Sequence, residues 1–214
     1  MIYKLQVTTD KFIEKIYEQA MSELNEFFGI NWVQNCPSVQ IVNNRKTINA
    51  LLGKKTTSWV IGFIHYNDIC ILDYKKLEQE SSHRYHKYYT SAQKYYSLLI
   101  RHELVHVFTK KLNYYIYQPV WIWEGLATFA AGQNNPDKKP SQLSNFLDFY
   151  KDHENKNGTV YKESGFAVEF LVKKYGKEKL FKLIKAIDKD MSESDFAKLF
   201  KKIYGIPLEY KSFN

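Results

Sequence analysis

The sequence predicts an α+β protein, with a small sheet in the N-terminal part and mostly helices after it. Three observations support this fold class. An amphipathic helical pattern covers residues 10–28, β-branched or alternating runs are confined to about residues 38–73, and helical periodicity dominates from about residue 91 onward. The sheet is expected to be mixed or antiparallel and to precede the longest helix.

The N-terminal elements have recognisable boundaries. Asp10 is placed to cap the first helix and Gly29 to end it. Residues 38–44 alternate in polarity and are rich in β-branched side chains, which predicts a strand. Residues 59–65 and 69–73 predict two further strands, joined as a hairpin.

The helical part begins with a long helix over about residues 91–112, where Thr90 and Gln93 have capping-box spacing. Another helix is expected to start near Pro119 and to end at Gly132. The remaining predicted helices cover about residues 141–151, 161–175, 178–188 and 193–203.

The 214-residue chain has 44% hydrophobic and 25% charged residues, which excludes wholesale disorder. Its formal charge is +8, but the lysines are dispersed as pairs among acidic residues, so no nucleic-acid partner is expected. We expect one domain over residues 1–214, with a sheet-containing part to about residue 90 and a helical part from about 91. A monomer is compatible with the sequence, which does not define the oligomeric state.

The N-terminal residues lack the basic and apolar segments of a secretory leader. The most apolar long window, residues 114–132, contains Gln118, Pro119 and Glu124, so no transmembrane segment is expected. The sequence as given predicts a soluble protein, cytoplasmic unless a leader or anchor precedes it.

The stretch HELVH, residues 102–106, carries the chemistry. His102 and His106 are four residues apart on a predicted helix, so both imidazoles can be directed at one metal ion. Glu103 is rotated by about 100° from His102, where a carboxylate can act as the base for metal-bound water. Chance alone gives this pattern about once in a hundred such sequences.

Glu124, on the next predicted helix, can supply a third ligand. A catalytic zinc needs three protein ligands and one open position, and two histidines with a carboxylate fulfil that requirement. The predicted metal ligands are therefore His102, His106 and Glu124, the predicted cofactor is Zn²⁺, and the predicted base is Glu103.

HELVH followed by WIWEGLA resembles the gluzincin metallopeptidases, specifically the W-x-x-E-G-x-A form of the aminopeptidase N family and of the smaller peptidase MA-like domains. The resemblance implies a zincin-like, thermolysin-type catalytic domain. It also implies a zinc-dependent metallopeptidase that hydrolyses a peptide or protein substrate, and an endopeptidase is favoured. No G-x-M-E-N segment precedes the active helix, so aminopeptidase activity is not implied.

The same resemblance implies a catalytic role for Tyr161. The stretch YKESGFAVEFLVKKYG is similar to the family segment whose tyrosine stabilises the oxyanion, although its spacing differs by one residue. Tyr161 is therefore the predicted oxyanion stabiliser, with Tyr114, Tyr115 and Tyr117 as alternatives. Thr128 stands where thermolysin-like enzymes carry an aspartate.

The other histidines, His65, His83, His86 and His153, have no carboxylate or cysteine partner that would indicate a second metal site. Cys36 and Cys70 are expected to be free buried thiols, with one disulfide as the alternative. Two alternative functions remain open: a catalytically silent zincin-like binding or structural module, and a regulatory metalloprotease that acts near nucleic acid.

Overall fold

A computed structural model describes residues 10–32, 37–65, 68–82, 91–148 and 159–214. The chain divides into two compact units, Met1–Val107 and Phe108–Asn214, and the boundary falls inside one helix. The protein is of mixed α and β structure and mostly helical, as the sequence predicted for its class. The single domain predicted over residues 1–214 stays a prediction.

The first unit begins with α1, Lys11–Phe28. The Asp10 side chain accepts a hydrogen bond from the Phe12 amide, and Gly29 ends the helix in the left-handed conformation, with φ of 64°. Both boundaries agree with the sequence prediction. The buried residues of α1 lie on one face, as its periodicity requires: Ile13, Ala20, Met21, Leu24 and Phe28.

A three-stranded sheet follows, formed by β1 (Val39–Val42), β2 (Gly62–His65) and β3 (Asp68–Leu72) in the order β1-β3-β2. β1 is parallel to β3, and β2 pairs with β3 antiparallel, which confirms the pairing of the predicted hairpin. The central strand β3 is the most buried of the three, with Ile69 to Leu72 fully inaccessible. β2 is an edge strand of this sheet.

A short helix, α2 (Arg45–Leu52), lies between β1 and β2 and was not predicted. The side chain of Asn44 caps it by accepting from the Thr47 amide, and Gly53 ends it with φ of 66°. Its single fully buried residue, Ile48, gives too little periodicity to indicate a helix.

The long helix α4, Ala92–Leu112, is confirmed and comes after the four-residue helix α3, Leu77–Glu80. At its start the Ser91 hydroxyl accepts a hydrogen bond from the Lys94 amide at 3.1 Å. The predicted cap Thr90 lies outside the described residues. No helix in the described ranges is both long and apolar enough to cross a membrane.

The second unit contains α5 (Val120–Ala130), α6 (Thr159–Tyr175), α7 (Lys177–Lys185) and α8 (Glu193–Tyr204). These helices were predicted to within a few residues. Ser192 caps α8 by accepting from the Asp195 amide. The fully buried Trp121 of α5 is the centre of an aromatic cluster with Phe146, Phe196, Phe200 and Phe213.

The helix predicted over residues 141–151 is wrong for residues 141–148, and the rest of that range lies outside the described residues. In these residues the backbone forms hydrogen bonds with side chains and not those of a regular helix. The Glu163 carboxylate accepts from the amides of Ser144 and Asn145, at 2.7 and 2.8 Å, and the Asn214 side chain binds Leu143. Leu143 is buried in this irregular conformation.

Candidate metal centre

Helix α4 brings His102 and His106 together, as their four-residue spacing requires. Their ring centroids are 4.8 Å apart and the ring planes are nearly perpendicular, at 88°. His106 is 5% exposed, and His102 is the more accessible of the two. The two imidazoles therefore lie on one face of the helix, close enough to share a ligand.

Glu124 lies on α5 and is only 3% exposed. One ligand atom from each of His102, His106 and Glu124 lies within 4.8 Å of the others. The structure thus places three residues that the sequence predicted as ligands in one buried group that could hold a metal ion.

The donor set fits a divalent metal. An ion with ligand distances of roughly 2.0–2.2 Å in a tetrahedral arrangement separates its ligand atoms by about 3.4 Å. The widest separation in the group is at most 4.8 Å, which side-chain rotation can close. A carboxylate buried beside two imidazoles loses hydration energy, which a bound cation would replace.

Glu103 lies on α4 between the two histidines in sequence and is 7% exposed. Its carboxylate lies against the first residue of β2. A methyl group built on Gly62 would be 2.8 Å from the Oε1 atom of Glu103. The sequence predicted a carboxylate beside the histidines, but its contact with β2 was missed, because it depends on how strand and helix pack.

The carboxylate also affects a buried thiol on the central strand. Burial, and secondly the negative charge of Glu103, raise the pKa of Cys70 to about 12. Cys70 is a free cysteine, as expected, and Cys36 lies outside the described residues. The Cys70 thiol is therefore protonated and unreactive at neutral pH.

Gly125 follows Glu124 directly and marks a close approach between α5 and α6. A methyl group on Gly125 would lie 2.6 Å from the backbone oxygen of Ser164. On the other helix, a methyl group on Gly165 would lie 2.7 Å from the Cγ2 atom of Thr128. The two glycines thus allow α6 to fix the helix that carries Glu124. Sequence reasoning missed this role, although glycine inside a helix was its signal.

Tyr161 lies near the start of α6 and is 39% exposed. The alternatives Tyr114, Tyr115 and Tyr117 are 62%, 56% and 51% exposed and lie in the connection between α4 and α5. The role of Tyr161 stays a prediction. Thr128, which stands where thermolysin-like enzymes carry an aspartate, is 8% exposed and lies against α6.

The remaining histidines were not predicted as ligands. His65 ends β2 opposite Asp68, whereas His83, His86 and His153 lie outside the described residues. Within the described ranges, His102, His106 and Glu124 are the group of three or more potential ligands that could hold a metal.

No protein-family model, curated protein or solved structure matches the chain. The resemblance to gluzincins and the thermolysin-type fold therefore stay predictions.

Proposed function

We propose that the protein is a zinc-dependent metallopeptidase, with an endopeptidase as the favoured form. The observation that carries this proposal is the convergence of His102, His106 and Glu124, together with a buried carboxylate, Glu103, on the same helix as the histidines. A site for structural zinc would be complete with a fourth protein ligand. In the described residues the group has three, which favours catalysis.

His102, His106 and Glu124 would hold the ion, and their chemistry of two nitrogens and one oxygen suits zinc. When bound, zinc acidifies water and polarises the carbonyl group of a substrate. The burial of the group supports this role, because electrostatic interactions are stronger where water is excluded.

Glu103 would act as the general base and then as the general acid. Its carboxylate would take a proton from the attacking water and pass it to the nitrogen of the leaving amine, as the C–N bond breaks. Glu103 follows a proposed ligand on the same helix and is rotated from it by about 100°, so its carboxylate would lie beside the ion and clear of the ligand positions.

The edge strand β2 would align the substrate. All four residues of Gly62–His65 are partly accessible, and β2 pairs on one side with β3. An extended peptide can add to such an edge through main-chain hydrogen bonds, which bind without regard to side-chain identity. This mode of binding favours cleavage within a chain.

Tyr161 would donate a hydrogen bond to the oxyanion of the tetrahedral intermediate. Its partial exposure, at 39%, is compatible with contact to a substrate. We expect Tyr161→Phe to lower kcat by about 100-fold while zinc affinity is unchanged, because one oxyanion donor typically contributes about that factor. An unchanged kcat in Tyr161→Phe would show that another group stabilises the oxyanion.

The test of the proposed function uses the full chain with one equivalent of zinc and a peptide library analysed by mass spectrometry. We expect cleavage inside the peptides, and we expect Glu103→Gln to abolish cleavage while zinc is retained. Glu18→Gln, an exposed change of the same chemistry on α1, is the matched control and should cleave normally. Zinc binding without cleavage of any peptide would contradict the proposal and favour a non-hydrolytic binding module.

A further inference from the structure

Gly62 is the first residue of β2, and its position leaves no room for a side chain. A methyl group there would be 2.8 Å from Oε1 of Glu103, and 3.3 Å from both Cδ and Cγ. Nonbonded carbon and oxygen atoms do not approach to 2.8 Å without repulsion, because their favourable separation is at about 3.5 Å or beyond. The side chain of Glu103 therefore occupies the space that any other residue at position 62 would fill.

Backbone conformation does not explain this glycine. Gly29 and Gly53 end helices with positive φ, at 64° and 66°, whereas Gly62 is not among the residues with positive φ. It lies in an ordinary antiparallel pair opposite Ile71. Glycine weakens a strand, and inside one it often marks the close approach of another group. Here the group that approaches is the proposed catalytic base.

The strand is held so firmly that the carboxylate, and not the backbone, would have to move. The Ile61 carbonyl accepts a hydrogen bond from the Leu72 amide at 2.8 Å. Just before β2, the guanidinium group of Arg45 donates to the backbone oxygens of Thr57, Ser58 and Val60. The same guanidinium group binds the carbonyl of Glu80. By contrast, the end of a glutamate side chain moves by rotation about single bonds.

We propose that Gly62 is a positioning residue for Glu103: by lacking a side chain, it reserves the place of the carboxylate beside the metal group. The catalytic role that this inference gives to Glu103 rests on the proposed function. The contact between Gly62 and the Glu103 side chain does not depend on it. A residue larger than glycine at position 62 would leave the fold and the ligands in place and would displace the base.

The expected consequence is a change in kcat and not in KM. A displacement of about 1 Å at a reacting group can lower the rate by about 100-fold. Gly62→Ala should therefore lower kcat by about 10- to 100-fold, with KM and zinc affinity within about twofold of the original values. Val39→Ile, which enlarges a residue on β1 of the same sheet, is the control and should leave all three values unchanged.

The second readout does not depend on activity. In the full chain labelled with ¹³C at the glutamate carboxyl carbon, the signal of Glu103 is the one that disappears in Glu103→Gln. We expect this signal to shift in Gly62→Ala, with and without zinc, and to stay in place in Val39→Ile. An unchanged signal in a folded Gly62→Ala protein would overturn the inference.

A further variant decides the case in which Gly62→Ala does not fold. Glu103→Ala removes the atoms that the new methyl group would meet, so the double variant Gly62→Ala/Glu103→Ala should fold as Glu103→Ala does. If it also fails to fold, glycine is required by the backbone and the inference is wrong. If the Glu103 signal shifts in Gly62→Ala but the unchanged chain cleaves no peptide, the positioning role is supported and the peptidase is contradicted. If the unchanged chain cleaves peptides but the signal does not shift in Gly62→Ala, the peptidase is supported and the positioning role is contradicted.

Discussion

Helices α1 and α5 place their carboxylates in opposite environments. α1 buries one face, and Glu14, Glu18 and Glu26 are exposed on the others. In α5 ten of the eleven residues are buried, and one of them is Glu124. An exposed carboxylate needs no explanation beyond solubility, but a buried one must recover its lost hydration from a partner. The comparison teaches that burial, and not residue type, distinguishes Glu124 from the carboxylates of α1.

The largest effect is expected when the buried carboxylate of α5 is removed. Glu124→Ala should weaken zinc binding by more than about 100-fold, because loss of even an outer partner of a ligand costs about 10- to 100-fold. Isothermal titration with zinc measures the change. Glu18→Ala on α1 should bind zinc as the unchanged chain does, and equal affinities in the two variants would remove Glu124 from the ligand set.

The sequence predicted α1, α4 and α5 with their main boundaries, and it predicted the three residues that form the candidate metal group. These features depend on local spacing, which is visible in one chain. The Gly62 contact with Glu103 and the Gly125 contact with Ser164 depend on packing between distant segments. The irregular residues 141–148 were mispredicted for the same reason, because the Glu163 and Asn214 side chains decide their conformation.

The next effect concerns Gly125 within α5 and Gly29 at the end of α1. Gly125→Ala would place a methyl group 2.6 Å from the Ser164 oxygen, and should cost about 3 kcal/mol of stability because neither helix can yield locally. Gly29→Ala meets no atom within 4 Å but must adopt positive φ, which costs about 1 kcal/mol. Urea unfolding of both variants measures the difference, and equal costs would contradict the close approach of α5 and α6.

The smallest effect is expected at the start of α1. Asp10→Ala removes the side chain that caps the helix, and should lower the free energy of unfolding by about 1 kcal/mol. Zinc affinity should stay unchanged, since the contacts of Asp10 with Phe12, Tyr74 and Lys75 do not involve the proposed ligands. Urea unfolding together with zinc titration checks both statements, and a loss of zinc affinity would show that α1 contributes to the site.

The most direct measurement is zinc K-edge absorption spectroscopy of the zinc-loaded chain. The proposed centre predicts one ion per chain, bound by two imidazole nitrogens and by oxygen, with distances of about 2.0–2.2 Å. In His102→Ala and His106→Ala, one imidazole should disappear from the spectrum or zinc should be lost. A chain that binds no zinc, or a spectrum without the two imidazoles, would contradict the proposed centre.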